Sequence, residues 1–216
     1  MLRVRIIPIL LWNGITLVKG QNFENNKRSA GSPISTIKIY NSRDVDEIVF
    51  FDISEKMKNN VDMDFIKSLT DCVDVPITIG GGIKTLSHMD NLFQCGADKI
   101  SINSIAYDNP KIINEASIKF GSQAITVSID VKKINNEYIC FYNCGKKISD
   151  KNFYDHLKEC EDRGAGEIII NSISHDGLLE GYDYELIKKC TSSLNIPVVA
   201  AGGAGDYDHF LKAYES

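Results

Sequence analysis

Short, nearly uniform runs of apolar residues alternate along the chain with longer segments in which apolar residues recur at helical spacing. Such uniform runs are typical of parallel strands covered on both faces, and the alternation is typical of strands joined by crossover helices. The pattern predicts seven strands, near Ile6–Leu11, Ile48–Phe51, Ile77–Ile79, Ile100–Ile102, Ile125–Ile129, Ile168–Ile170 and Val198–Ala200. It predicts helices near Ile34–Arg43, Met63–Cys72, Leu86–Gln94, Pro110–Phe120, Asn152–Arg163 and Tyr184–Thr191.

The second half of the chain repeats the first. The glycine run Gly80–Gly82 ends an apolar strand, and Gly202 and Gly203 end another in the matching position, 121 residues further on. The segment EIVFFDIS, which begins at Glu47, matches EIIINSIS, which begins at Glu167. A period of this length is that of half a domain rather than of a solenoid. We therefore predict an α/β fold, a (βα)8 TIM barrel of the half-barrel-duplication type, with repeats of about residues 1–120 and 121–216 in one domain.

The repeat stops before its last unit. The fourth strand of the first half lies in GADKISIN, which begins at Gly96, and its counterpart would begin after Ser216. An eighth strand and helix would take roughly 30 residues. We expect both to be missing from this chain, so that the barrel domain over residues 1–216 is incomplete at its C-terminus and exposes strand edges.

Composition narrows the possible partners and the compartment. The chain has 216 residues, 43% of them apolar, which suits one globular domain. A net charge of -5 without a basic cluster argues against nucleic acid as a partner. The first apolar run is too short for a signal peptide or a membrane span. Six cysteines without a CxxC pair are typical of reduced thiols, and we expect a cytoplasmic protein.

No metal or cofactor is predicted. Metal sites need several ligands at set spacings, and the sequence offers no such set; we expect no cofactor. His156 and His175 could act as acid-base groups, but a lone histidine on a loop or helix is more often structural, and we interpret both as structural residues. The segment Val131–Cys144, with Asn135 and Asn136 between apolar stretches, predicts a hairpin after the fifth strand.

The glycine turns are candidate phosphate sites. Glycine lets backbone N–H groups approach an anion closely, and a helix start adds partial positive charge. The first candidate comprises Gly81 and Gly82, with Asn103 and Ser104 after the next strand; the second comprises Gly202 and Gly203, with Asp176 and Gly177 after the sixth strand. Each turn can also serve only tight packing, but two of them suit a ligand phosphorylated at both ends.

A series of motifs resembles one family. RIIP, VKGQNFEN, DEIVFFDI, GGGIKT, GADKISIN, FGSQAITVSID, RGAGEI, DGLLEGYD and GGAG follow in order, and in this order they are similar to the cyclase subunit of imidazole glycerol phosphate synthase. The resemblance extends over essentially the whole chain. It implies a half-barrel duplication, a separate glutaminase subunit as partner, and ammonia-dependent cyclisation of a doubly phosphorylated ribulosyl aminoimidazole intermediate.

The resemblance assigns roles to three positions near strand ends. Asp130 corresponds to one of two catalytic aspartates, and Lys19 to a lysine that holds the substrate. The other aspartate belongs at the end of the first strand, where this chain has Leu11. Leucine cannot transfer a proton, so we expect the standard cyclisation to be impaired. Two hypotheses concern this gap: that Asp52 substitutes for the missing carboxylate, and that Trp12 fills its space.

The resemblance also implies an ammonia entrance at the opposite end of the strands. Arg5, Glu47, Lys99 and Glu167 match four charged gate residues, and Asp98 matches a residue that faces the glutaminase. Thr78 and Ser101 are candidates for lining the passage beyond, although small core residues are the simpler interpretation. Charges at strand starts can equally be stability features.

Three functions remain open at this point. The first is a diverged paralogue that binds a phosphorylated ligand and supplies ammonia from a glutaminase for amidation of a surface sugar. The second is the cyclase subunit of histidine biosynthesis, a lyase with an unusual first strand. The third is a catalytically silent phosphate-binding fragment.

Overall fold

A computed structural model describes residues 4–24, 27–54 and 62–216. Residues 1–3, at the start of the N-terminal segment, and Asn25, within the motif VKGQNFEN, lie outside the described residues. The chain forms two compact units, residues 1–19 with 28–102, and residues 20–27 with 103–216. The units divide at Ile102 and Asn103, whereas the predicted sequence halves divide near residue 120; a single barrel domain over residues 1–216 stays a prediction.

The first unit contains strands β1 (Ile9–Trp12), β2 (Leu17–Lys19), β3 (Arg28–Gly31), β4 (Ile48–Asp52), β5 (Ile77–Gly80) and β6 (Lys99–Ile102), and helices α1 (Pro33–Asn41), α2 (Met63–Thr70) and α3 (Leu86–Gln94). The strand order is β6-β5-β4-β1-β2-β3. Strands β6, β5, β4 and β1 are parallel, and β2 and β3 add antiparallel pairs at the side of β1.

The second unit contains helices α4 (Ser104–Asp108), α5 (Lys111–Phe120), α6 (Phe153–Asp162), α7 (Tyr184–Ser193) and α8 (Tyr207–Glu215), and strands β7 (Ile125–Ile134), β8 (Glu137–Tyr142), β9 (Lys147–Asn152), β10 (Glu167–Ser172) and β11 (Val198–Ala201). Strands β7, β10 and β11 are parallel neighbours. Strands β8 and β9 extend from β7 as antiparallel partners.

The predicted α/β fold of the (βα)8-barrel type is confirmed in its class, because every predicted strand and helix is present with strands parallel and helices between them. The apolar runs are buried as expected; Ile48, Phe50 and Ile79 in the first unit, and Ile125 and Ile168 in the second, are fully buried. No helix among the described residues is long and apolar enough to cross a membrane.

Two predicted boundaries are wrong. The first strand begins at Ile9 rather than Ile6, because Pro8 just before it has no N–H with which to continue a ladder. The fifth strand continues past Ile129 to Ile134, since it pairs with β8 in the predicted hairpin. The hairpin turn is confirmed: Asn135 and Asn136 have φ of 49° and 68°, the left-handed values of a tight two-residue turn.

The repeat also extends to the helix caps after the glycine turns. Thr85 caps α3 by accepting a hydrogen bond from the His88 N–H, and Asp206 caps α8 by accepting one from the His209 N–H. Short polar side chains at this position satisfy otherwise unpaired N–H groups of the first turn. Each glycine turn therefore leads directly into a capped helix start.

Candidate functional site

Asp130 lies on β7 in a buried, hydrogen-bonded position in the second unit. Its side chain is 7% exposed, and the Asn103 side-chain amide donates to Asp130 Oδ2 at 3.0 Å and to the Ser128 carbonyl at 2.9 Å. Asn103 is thereby held by two strand acceptors and points its amide at the carboxylate. The sequence predicted both residues as site residues, and the structure brings them together.

Burial raises the pKa of Asp130 to about 7. The hydrogen bond from Asn103 lowers it, the charge of Asp176 raises it, and a hydrogen bond from Asn171 lowers it. Removal from water disfavours the charged carboxylate, and donors that stabilise the charge oppose this effect. A carboxyl with such a pKa exchanges protons readily at neutral pH, as a general acid-base group must.

Asn171 is a candidate site residue that the sequence analysis missed. It is the register neighbour of Asp130, on the adjacent strand β10, and its Oδ1 is buried without a hydrogen-bond partner among the described residues. The repeat contained a signal for this residue: Asn171 in EIIINSIS is polar, whereas the corresponding residue in EIVFFDIS is Phe51.

The equivalent position in the first unit is apolar. Leu11 on β1 is the register neighbour of Phe51 on β4, as Asp130 is of Asn171. A Cβ added to Gly80 would lie 2.7 Å from the Phe51 ring, so the ring lies against the end of β5. Leu11, which the sequence already showed in place of a carboxylate, thus has an aromatic neighbour, Phe51, rather than a polar one.

Neither hypothesis about this gap holds. Successive side chains of a strand point to opposite faces, and Asp52 is the register neighbour of Trp12, not of Leu11. The Trp12 ring stacks on Phe65 of α2 at 4.4 Å, so it packs towards the helix and does not fill the space beside Leu11. Asp52 lies on that same face; its Oδ1 accepts from the Ser54 N–H at 2.7 Å, and burial raises its pKa.

The second glycine turn is closely packed by the loop after β10. Gly203 has φ of 114°, and a Cβ there would lie 2.1 Å from the Gly181 carbonyl oxygen; the Gly181 N–H donates to the Gly203 carbonyl at 2.8 Å. Gly202 has φ of 84°, and its Cβ position lies 2.8 Å from Asn171 Oδ1. Only glycine fits at these two positions, and the polar oxygen of Asn171 is brought to the turn.

Asp176 and Gly177 contact residues of the segment 20–27. The Asn22 N–H donates to the Asp176 carbonyl at 2.9 Å, and a Cβ at Gly177 would lie 2.1 Å from the Gly20 carbonyl oxygen. Burial raises the pKa of the Asp176 carboxyl to about 6, and the positive charge of Lys27 lowers it. The structure thus brings Asp176, Gly177, Gly202 and Gly203 into one unit, as the sequence predicted for the second phosphate site.

The residues of the first predicted phosphate site fall in different units. Gly81 packs against the first unit's own backbone, since a Cβ there would lie 2.0 Å from the Asp52 carbonyl oxygen, and Gly82 has φ of 60°. Asn103 and Ser104 belong to the second unit. There Ser104 Oγ accepts from the Asn143 N–H at 3.1 Å. Lys19, at the exposed end of β2, pairs in register with Arg28.

Three of the four predicted gate residues meet at one carboxylate. Glu47 is 2% exposed; its Oε2 contacts Arg5 Nη1 at 2.8 Å and Lys99 Nζ at 2.9 Å, and its Oε1 accepts from Thr78 Oγ1 at 2.7 Å. The fourth, Glu167, begins β10 in the second unit and is 6% exposed.

Two further predicted residues near the entrance have contrasting surroundings. The Asp98 carboxylate accepts from the Ile77 N–H at 2.9 Å, so it ties the start of β5 to the turn before β6. The Ser101 hydroxyl is buried, and the described residues offer it no hydrogen-bond partner.

The two histidines that were predicted to be structural make local contacts. His156 is 1% exposed and stacks on Tyr107 at 4.2 Å; burial, and then the positive charge of Lys151, lower its pKa to about 4. His175 Nδ1 lies 2.9 Å from Ser172 Oγ. Among the described residues, no group of three or more His, Cys, Asp or Glu side chains could hold a metal ion.

Comparison with known proteins gives consistent matches over the whole chain. The model of a family described as "Histidine biosynthesis protein" matches residues 5–216. A Flavobacterium johnsoniae protein named imidazole glycerol phosphate synthase subunit HisF is 42% identical over 219 residues, covering 100% of this chain and 86% of that protein. Proteins of the same name from Sulfurisphaera tokodaii and Campylobacter concisus are 43% and 42% identical, covering 96% and 98% of this chain and 84% of each relative. These matches confirm the resemblance that the motifs predicted.

Proposed function

Since this chain belongs to the histidine biosynthesis protein family, we propose that it acts as a cyclase subunit of the kind named imidazole glycerol phosphate synthase subunit HisF. In this role it binds a phosphorylated ligand, receives ammonia from a glutaminase subunit and uses the ammonia in cyclisation. The observation that carries the proposal is the buried Asp130 with its pKa of about 7, held by Asn103 beside the second glycine turn.

Asp130 is the proposed general acid-base group. Its pKa of about 7 means that both the protonated and the ionised carboxyl are populated near neutral pH, which favours proton transfer in both directions. Its hydrogen bond from Asn103 fixes the direction of Oδ2. Acid-base groups of this kind contribute about two to four orders of magnitude in rate.

The phosphorylated ligand is proposed to bind at the glycine turns. Gly202 and Gly203 have φ values that only glycine adopts readily, and they precede the capped start of α8. Backbone N–H groups in such a turn, together with the partial charge of a helix N-terminus, favour phosphate. Gly81 and Gly82 precede α3 in the same way, so the first unit offers a second candidate phosphate position; Lys19 is proposed to assist by its charge.

The glutaminase partner is proposed to dock on the first unit where Glu47 contacts Arg5 and Lys99, with Asp98 at the interface. Glu167, in the second unit, stays a predicted gate residue. A walled passage keeps neutral ammonia from dilution and protonation before it meets its acceptor. The Ser101 and Thr126 hydroxyls, which are buried without partners among the described residues, provide polar positions for ammonia within the two units.

The relatives' names support histidine biosynthesis better than sugar amidation, the reading placed first on sequence alone. One observation nevertheless favours the second candidate: Leu11 and Phe51 give the first unit an apolar pair where the family pattern requires a carboxylate. In this second candidate the chain passes ammonia on to the amidation of a surface sugar.

A turnover assay tests the proposal. The purified chain is mixed with the ribulosyl aminoimidazole intermediate and ammonium chloride at pH 8, and imidazole glycerol phosphate is quantified. We expect product, and a loss of about two orders of magnitude or more in Asp130→Asn. Absence of product from the wild type, combined with stimulation of a cognate glutaminase, would reject cyclisation in favour of ammonia delivery.

A further inference from the structure

Asn171 carries an acceptor oxygen that none of the described residues uses. Oδ1 is buried without a hydrogen-bond partner among the described residues, and it lies 2.8 Å from the position that a Gly202 Cβ would occupy. A buried polar atom without a partner costs about 1–3 kcal/mol, and native structures rarely keep one without a reason.

The same side chain also acts on the neighbouring carboxyl. Asn171 is the register neighbour of Asp130, and its amide lowers the pKa of that carboxyl. Its Oδ1 faces the second glycine turn, 2.8 Å from the Cβ position of Gly202. Strand neighbours lie about 4.8 Å apart, so one small molecule can touch both side chains.

The same face of β10 leads from the predicted entrance to this position. Glu167 and Asn171 are four residues apart on β10 and point to one face, as do their register partners Thr126 and Asp130 on β7. At about 3.3 Å per residue, the two ends are separated by about 13 Å. Thr126 Oγ1 is also buried without a described partner, so acceptors occur at both ends of this face.

The equivalent position in the first unit lacks these acceptors. There Phe51 takes the place of Asn171 and Leu11 that of Asp130, so neither side chain can accept an N–H. At this register, side-chain acceptors for N–H groups are therefore present in the second unit and absent from the first.

We propose that Asn171 orients the ammonia nucleophile for reaction beside Asp130. Ammonia donates one N–H to Asn171 Oδ1 and a second to the Asp130 carboxylate, which leaves the nitrogen lone pair directed at the electrophilic carbon of the ligand. When the carbon–nitrogen bond forms at the carbonyl carbon of the ribulosyl group, the π electrons of the carbon–oxygen double bond pass to the oxygen, which takes a proton from water. The nitrogen, now positively charged, transfers one proton to Asp130. The carboxylate becomes a neutral carboxylic acid, and the nitrogen regains its neutral form.

This inference rests on the proposed function, and kinetics of Asn171→Ala test it. We expect the KM for ammonium, at saturating phosphorylated ligand, to rise about tenfold for the loss of one hydrogen bond, while the KM of the ligand changes less than twofold. Loss of the amide donor also raises the pKa of Asp130, so the ascending limb of the pH–rate profile moves to higher pH. Equal increases in both KM values, or an unchanged ammonium KM, would overturn the inference.

A binding measurement separates this inference from the proposed function. The 13C carboxyl resonance of Asp130 is followed while ammonium chloride is added at constant ionic strength and pH 8.5, without ligand. A saturable shift in the wild type that is absent in Asn171→Ala supports ammonia binding even if the chain fails to cyclise its ligand. No saturable shift in the wild type refutes it. Asn195→Ala, at an exposed asparagine before β11, is the matched control and should behave as the wild type.

Discussion

Leu11 and Phe51 lie side by side on adjacent parallel strands at the register that Asp130 and Asn171 occupy in the repeated half. One pair is apolar and the other holds a carboxyl and an amide. Duplication of a half supplies two copies of each position, and here the chemistry is retained in one copy only. This asymmetry leads to specific expectations for substitutions in each unit.

Leu11→Asp should increase ammonia-dependent cyclisation, because it restores a carboxyl at the position the family pattern requires. A second acid-base group contributes about two orders of magnitude or more when it is correctly placed; we expect at least a tenfold gain in rate. The measurement is the initial rate of product formation with ammonium chloride. Leu11→Asn has nearly the same size without an ionisable group, and an equal gain from it would show that proton transfer is not the cause.

Asp130→Asn should stabilise the protein at pH 8 while it abolishes proton transfer. Burial raises the folded-state pKa of Asp130 to about 7, above the value of about 3.9 for an unfolded chain. The folded state therefore binds the proton more tightly, and this contribution to stability, complete below about pH 4, is lost as the pH rises to about 7.

Thermal unfolding across this pH range checks the expectation. The melting temperature of Asp130→Asn should exceed that of the wild type at pH 8, and the difference should shrink towards pH 4. A difference independent of pH would mean that Asp130 is not the group that titrates.

Glu47→Gln should destabilise the first unit. The substitution removes the charge that Arg5 and Lys99 share at a position 2% exposed, and loss of one partner from a buried ion pair costs about 3–5 kcal/mol. Because the two cations retain partial exposure, we expect the free energy of unfolding, measured in urea, to fall by about 2–3 kcal/mol.

Glu185→Gln is the control for this charge removal. Glu185 also contacts two cations, Lys133 and Lys189, but its side chain is 52% exposed. Exposed pairs of this type contribute little to stability, so the free energy of unfolding should hardly change. Equal effects at Glu47 and Glu185 would contradict the role given to burial.

Gly177→Ala should weaken the second glycine site through the contact with segment 20–27. The residue has φ of 74°, and a Cβ would lie 2.1 Å from the Gly20 carbonyl oxygen, so backbone must move. Gly31→Ala separates strain from contact, since Gly31 has φ of 102° but its nearest Cβ neighbour lies at 3.7 Å. We expect both variants to lose about 1 kcal/mol of stability from backbone strain and Gly177→Ala to lose more because of its backbone clash. Only Gly177→Ala should also lose affinity for inorganic phosphate in calorimetry.

Several elements escaped the sequence pattern for local reasons. Strands β2 and β3 are three and four residues long and carry no extended apolar run. Helix α4 has five residues, too few for a helical period to be visible. Helix α8 was readable from the repeat, because its cap Asp206 corresponds to Thr85, but its apolar positions are spread among exposed ones; Tyr207 is 89% exposed and Leu211 56%.

The sequence by itself determined the α/β class, the repeat, the glycine turns and the placement of Asp130 and Leu11 at matching positions of repeated strands, because periodicity and turn chemistry are local properties of the chain. Only the tertiary structure decided which side chains become neighbours. The pairing of Leu11 with Phe51, the packing of Trp12 on Phe65 and the buried oxygen of Asn171 depend on strand register and burial. Strand register and burial arise from contacts between segments distant in sequence, and no local pattern encodes them.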